Sequence, residues 1–510
     1  MSRWARMSDE RVRTGPPSAG NPAARRIHGV LLAGLTAWVA VTALTTPPRL
    51  LGDAPEYLLM AESLARHGDP GLRDSDIEAV AAEFARHGVE FPPGGEITGY
   101  YAARNGQRYS YHFWAYPLTV LPFRFVVDAV GGDPLLAPQF ANALLMMAPL
   151  LAIFLWAPLD DTQRLALNGL LFLSPACWFI LWPHPEIFSL CLATLSLLAG
   201  LRDRNRLAVL LASLAALQNP QLMLLAGFHW ARGTLGLRVR RLGAGSVLAR
   251  SRLRWRDAVT HGLPALAFLA HPAFYYVNFG TPSIVADEAT SLVKVSPARA
   301  LGLLFDLNVG LLPYVPVAVV AWLVVSAQEL RRPRLRWQAG LFGVFVLMLL
   351  ANTLQWNYNH GTSGPSRYVV WMLPMLFLPL VTRPMTRAWA AVLGFSVAVQ
   401  LAVVVSRGGL IPRYDYLEHS AVARWVLNHL PALYDPDYEV FIKRTLHFEG
   451  PGTRGPYVYR NEAGECRKVL AKRRHRPEVA AQCGGVPPAQ EAFFAAFDEA
   501  NADHWTYVEY

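Results

Sequence analysis

The chain has 510 residues, of which 53% are hydrophobic and only 16% charged, and its mean hydropathy is positive at +0.23. Soluble domains carry about 25% charged residues, so this composition excludes a disordered protein and argues against a purely soluble one. The net charge of +10 does not point to nucleic acid, because the basic residues sit between apolar runs, where they set membrane topology. The four cysteines form no CxxC or Cys/His cluster suited to zinc and are too few for a disulfide scaffold.

A helix needs about 20 apolar residues to cross the ~30 Å hydrocarbon core. The first such run, 27–46, follows a basic tail (1–26) containing Arg3, Arg6, Arg11, Arg13, Arg25 and Arg26. It ends in Thr45-Thr46-Pro47-Pro48 and not in a small-residue cleavage site, which predicts a retained helix with a cytoplasmic N-terminus. Further runs lie near 134–157, 165–182, 186–201, 207–218, 221–231, 258–278, 309–328, 337–355, 368–382 and 388–405. The segment 113–127 is apolar but short, and it contains Pro117, Pro122 and Arg124. Read as a half-inserted or interfacial helix, it leaves the basic loops 202–206, 232–256, 331–336 and 383–387 on the N-terminal side. A full span there would move all of them outside, against the positive-inside rule.

The expected fold is therefore an all-α polytopic membrane protein of about 11 transmembrane helices over 27–406. A long first outer loop (47–133) and an outer C-terminal region (407–510) complete it. Cys466 and Cys483 lie in that last region and can close a modest loop worth ~3 kcal/mol in chain entropy. Cys177 and Cys191 fall within runs and are expected as packed thiols.

Polar residues suited to chemistry collect in the outer segments. After the first span comes Gly52-Asp53-Ala54-Pro55-Glu56-Tyr57, and Tyr57, Met60, Ala61 and Leu64 recur at helical spacing. This predicts an amphipathic helix along the outer interface, ending at Gly68. Asp53 is well placed as its N-cap, with Glu56 at the capping-box position. A carboxylate at the mouth of a helical bundle can equally take a proton from an acceptor hydroxyl. Glu186, in Pro183-His184-Pro185-Glu186, is a second outer carboxylate, at a helix start where the macrodipole favours it. Arg367 closes the stretch 356–368, which also holds His360 and Tyr368. It can snorkel to the interface, or its planar fork can bind a phosphate or pyrophosphate. Tyr111 and His112, in the aromatic and polar stretch 105–114, suit the faces and hydroxyls of a sugar, and equally an interfacial aromatic belt.

These residues, in this order, resemble the bacterial GT-C superfamily of membrane glycosyltransferases, which includes protein O-mannosyltransferases and the lipid-A aminoarabinose transferase. The likeness spans roughly residues 28–405: Gly-Asp-x-x-Glu-Tyr after the first span, Asn-Gly-x-x-Tyr-Ser, a Pro-Glu turn and a late Gly-Pro-x-Arg-Tyr turn. It implies a polyprenyl-phosphate-linked sugar as donor and an inverting transfer on the periplasmic face of the bacterial inner membrane. The acceptor hydroxyl would be carried by a glycan, lipid or protein. By the same resemblance Asp53 is the catalytic base, Glu186 the second outer-loop acid, and Arg367 the donor-phosphate ligand. Asp53 is not followed directly by Glu, as the family often has it, which leaves Glu56 as its partner or substitute. His112, Tyr111, His184, His360 and Tyr368 are the accompanying substrate-binding candidates. Two carboxylates and a phosphate can also hold a divalent metal, although nothing demands one.

A transporter or flippase for a lipid-linked sugar is the alternative. Transporters place polar groups at mid-membrane and show paired halves, and neither feature is evident here. The topology is open to cysteine labelling. Position 245 should react only from the cytoplasmic side and position 460 only from the opposite side, and reaction of both from one side overturns the assignment.

Overall fold

The computed structural model describes residues 22–92, 97–235, 255–331, 337–359, 364–412, 416–450, 454–495 and 504–510. Apolar chain must satisfy its own backbone groups, and here it does so mostly with helices. Among the described residues, three helices are long and apolar enough to cross a membrane: Arg25–Thr45, Pro134–Trp156 and Arg387–Ser406. Shorter apolar helices, Glu186–Leu201, Asn205–Ala216, Pro316–Leu330, Trp337–Asn352 and Arg367–Val381, accompany them. They share one large apolar core in which Trp178, Trp322 and Trp371 are fully buried.

The count of about eleven spans is not confirmed. A 12-residue helix such as Asn205–Ala216 rises only about 18 Å. Two expected runs are also broken by identifiable residues. The run 165–182 stops at Phe172, where Ser174 caps and Pro175 opens a separate 3₁₀ turn, Pro175–Phe179. The run 258–278 divides into Trp255–Gly262, the 3₁₀ stretch Leu263–Leu269 and Ala270–Phe279. The segment expected to be half-inserted forms the helix Ala115–Ala129, with Pro122 inside it. At about 22 Å it is shorter than a hydrocarbon core.

The all-α expectation also needs correction, because two small antiparallel sheets are present. In the first loop Tyr100–Ala102 pairs with Arg108–Ser110. Gly106 takes a positive φ of 79° in the turn, where Asn105 Oδ1 accepts from the Gln107 N–H at 3.0 Å. In the C-terminal region Tyr457–Arg460, Cys466–Ala471 and Thr506–Glu509 form a three-stranded sheet. The Cys466–Cys483 disulfide ties that sheet to the helix Arg476–Cys483, and Cys177 and Cys191 are buried thiols.

The helix expected to float on the interface is Ala54–His67, and Gly68 ends it in the left-handed conformation at φ 66°. It is not amphipathic in its surroundings: every residue from Glu56 to Leu64 is buried. Its polar side chains are satisfied within the protein. Glu62 accepts from Arg66 at 2.5 Å and Arg124 at 3.0 Å, and Ser63 donates to the buried Asp76 at 2.6 Å.

The C-terminal region grips the segment that leads to Arg367. Glu439 accepts from the backbone N–H groups of Tyr358 (2.8 Å) and Asn359 (3.2 Å). The fully buried Arg444 donates to Asn359 Oδ1 at 2.9 Å. On the other side, the Ser366 N–H bonds to the carbonyl of Val309 at 2.8 Å. Val309 is held in turn by Asp306, which also accepts from Tyr434 of the C-terminal region at 2.9 Å.

Candidate active site

Three backbone turns place the charged groups. Gly52, at φ 57°, reverses the chain before Asp53, and Trp182 Nε1 donates to the Leu51 carbonyl at 2.9 Å to hold the turn. Asp53 stands at the N-cap position of Ala54–His67, yet its side chain makes no capping bond. The capping reading thus describes its place in the chain and not the use of its carboxylate. Arg367 Nη1 donates to Asp53 Oδ2 at 2.6 Å, and Asp53 Oδ1 has no hydrogen-bond partner among the described residues.

The second turn, Pro183-His184-Pro185, carries the imidazole that completes this contact. Asn142 Nδ2 donates to the Trp182 carbonyl at 2.8 Å, and the Trp182 ring stacks on His184 at 3.9 Å and 12°. His184 Nδ1 bonds to Glu186 Oε2, while Nε2 lies 2.8 Å from Arg367 Nη1 and 3.2 Å from Asp53 Oδ2. A carboxylate only accepts and a guanidinium only donates. Nδ1 therefore donates to Glu186, while Nε2 faces both the Asp53 carboxylate and the Arg367 guanidinium. Glu186 does not merely sit in a helix dipole: it is 1% exposed and orients the His184 ring through Nδ1.

The third group rises from the hairpin. Ser110 Oγ and His112 Nδ1 both reach Glu56 Oε2, at 3.1 and 3.0 Å. Glu56 closes no capping box. Gly99, at φ 78°, makes room for it, since a Cβ there would come 2.2 Å from its carboxyl group. His112 Nε2 lies 3.8 Å from Asp53 Oδ2, and Tyr111 packs on its ring at 4.1 Å. The site residues proposed from the sequence are therefore brought together, apart from His360, which lies outside the described residues.

Arg367 is not a snorkelling residue. Its side chain is only 12% exposed and turns inward to Asp53. Nη1 is used by Asp53 and His184, and Nη2 makes one long bond to the Tyr368 hydroxyl, at 3.3 Å. Nε is buried with no partner among the described residues. The side-on edge of the guanidinium, Nε with Nη2, is thus the part left for a bidentate oxyanion. A cavity of about 410 Å³ is lined by Arg367, Tyr368, His112, Tyr111, His184 and Glu186, within the size range of small-ligand sites.

Sequence reasoning missed Gln218, Asn219, Gln221 and His271, which line the same cavity. The signal was present as a polar quartet, Gln218-Asn219-Pro220-Gln221, set between two apolar runs. Among the described residues no group of three or more His, Cys, Asp and Glu side chains is arranged to hold a metal ion. No family model, curated protein or solved structure matches the chain.

The electrostatics follow from these contacts. Burial pushes the Asp53 carboxyl up, but Arg367, with His184 and His112, outweighs it and holds Asp53 well below the ordinary carboxylate range. Burial raises Glu56 despite His112. Burial disfavours the charged form of His112, but Glu56, and then Asp53, overcome it and raise its pKa. A raised histidine stabilises the fold fully below its unfolded value of about 6.5 and loses that contribution as pH climbs through the folded value. Thermal unfolding in detergent should therefore show wild type exceeding His112→Gln most near pH 6, with the gap narrowing as pH rises to about 9. A gap that widens with pH contradicts this assignment.

Proposed function

We propose that the chain is an inverting membrane glycosyltransferase of GT-C type. It moves a sugar from a polyprenyl-phosphate carrier to an acceptor hydroxyl at the outer, periplasmic face of the inner membrane. The observation that carries this reading is the 2.6 Å contact between Arg367 and Asp53, residues 314 positions apart. It joins a guanidinium whose Nε is unpartnered among the described residues to a carboxylate with an unspent oxygen, beside a cavity that Arg367 lines.

In this reaction the donor phosphate docks on Nε and Nη2 of Arg367, next to the Tyr368 hydroxyl. Asp53 is 22% exposed and does not line the cavity, so the acceptor reaches it from the solvent side. The acceptor oxygen attacks the anomeric carbon, and the bond from that carbon to the phosphate oxygen breaks. The electron pair leaves with the lipid phosphate, whose charge Arg367 stabilises, and the hydroxyl proton passes to Asp53 Oδ1. Ion-paired as it stands, Asp53 is a weak base. A phosphate on the far edge of Arg367 adds negative charge nearby and raises its proton affinity, so donor binding prepares the base. Glu186 and His184 keep Arg367 Nη1 aimed at Asp53. Passive carriage of a lipid-linked sugar gives no role to the free carboxylate oxygen, which favours transfer over transport.

Asp53→Asn removes the charge without removing a capping bond, since none exists. A folded protein with turnover reduced by about 10²-fold or more in a direct glycosyl-transfer assay is expected. Near-normal turnover would return Asp53 to a structural role. For Arg367, donor affinity should fall in the order Arg, Lys, Gln, because lysine keeps the charge but loses the fork. Binding to purified protein in nanodiscs measures this, and equal affinity for all three removes Arg367 from the donor site.

A further inference from the structure

A second part of the cavity lining differs from Arg367 in chemistry. Gln218 and Asn219 are anchored there. The Gln218 amide spans the Tyr116 N–H and the Tyr57 hydroxyl, both at 3.3 Å, and Asn219 Nδ2 donates to Ser189 at 2.6 Å. Two acceptors on the same wall are buried with no partner among the described residues, Gln221 Oε1 and His271 Nε2. The state of His271 is fixed by its neighbour. Nδ1 lies 2.7 Å from the Leu217 carbonyl, which can only accept, so Nδ1 carries the proton and Nε2 is a bare acceptor. The ring is 5% exposed and held between Phe113 and Phe268, with centroids 4.9 and 5.9 Å away.

Nε2 of His271 selects its ligand by what it cannot pair: an ionised phosphate or carboxylate brings only lone pairs and is refused there, whereas the Gln221 amide presents an acceptor and donors side by side, as a hydroxyl needs. A cation needs a counter-charge, and Glu186, the carboxylate lining this cavity, is already bonded to His184. A neutral hydroxyl supplies the missing donor, and the aromatic side chains nearby offer apolar faces to a ring. We propose that Gln221 and His271 form a binding wall for an uncharged, polyhydroxylated ring, reading its hydroxyls as donors while Arg367 takes the phosphate in the same cavity. That this ring is a sugar rests on the transferase reading; the match of acceptors to hydroxyls does not.

The test uses the full chain in nanodiscs and two variants. His271→Asn keeps a donor for the Leu217 carbonyl but has no acceptor at the Nε2 position, and Gln221→Met keeps the length but removes the amide. One arm measures contact with a panel of methyl hexosides and pentosides by saturation-transfer NMR. The other measures binding of polyprenyl phosphate with and without an attached hexose. Each variant should weaken ring binding by about 3- to 10-fold while sugar-free polyprenyl phosphate binds as in wild type. Loss confined to the lipid-linked hexose assigns the wall to the donor ring, and loss confined to the free glycosides assigns it to the acceptor. Binding of the lipid-linked hexose and of the free glycosides both unchanged in the two variants overturns the proposal. Failure of sugar-free polyprenyl phosphate to bind, with the glycoside result intact, would instead defeat the Arg367 reading and leave the wall standing.

Discussion

A guanidinium that is nearly buried must be paired, and the pairing of Arg367 with Asp53 organises the site around it. The two residues lie 314 positions apart in the chain, and neither charge is well solvated. Removing either partner strands the other, which is the costly way to break such a pair. The contact therefore fixes where the first outer loop sits relative to the late turn before Leu373–Val381. His184 and Glu186 extend it into a chain in which each member limits the orientation of the next. The same saturation of Nη1 leaves the other edge of the guanidinium open, so one side chain can serve structure on one face and ligand on the other.

This arrangement also resolves a tension in the proposed chemistry. A carboxylate held by arginine is strongly acidic, and strongly acidic groups are poor proton acceptors. The remedy is built into the geometry, because the ligand that must be present for transfer is the one whose charge competes for Arg367. A base that gains strength only when the donor is in place has little tendency to act on an empty site. Glu56 and His112 stand beside Asp53 as a separate hydrogen-bonded pair, 3.8 Å away through the imidazole. They buffer its field without taking its open oxygen.

The sequence was informative where chemistry is local and silent where it depends on the partner. Many helices fall within the apolar runs, and Gly68 was legible as the stop of the helix that begins after Asp53. Asp53 could be recognised as an N-cap candidate, but its release from capping could not, because the competing donor lies more than three hundred residues away. The helix Ala54–His67 looked amphipathic because Tyr57, Met60, Ala61 and Leu64 recur at helical spacing, yet Glu56, Glu62 and Ser63 each pair with a distant segment, and helical periodicity does not see such partners. Span lengths failed for a related reason. Prolines and glycines inside apolar runs, such as Pro175 and Gly262, divide a run into pieces that hydropathy averages together.

The C-terminal region belongs to this same account. It has no spanning run of its own, and its sheet and disulfide make a separate apolar cluster. Its polar contacts with the bundle converge on the residues flanking the turn before Arg367. Glu439 and Arg444 hold Tyr358 and Asn359, and Tyr434 with Asp306 steadies the strand of chain that pairs with Ser366. Asn359 and Ser366, on the two sides of residues 360–363, are each held by hydrogen bonds, those to Glu439 and Arg444 being charge-assisted and of the stronger kind. The register of Arg367 against Asp53 is thereby set from outside the bundle as well as from within it.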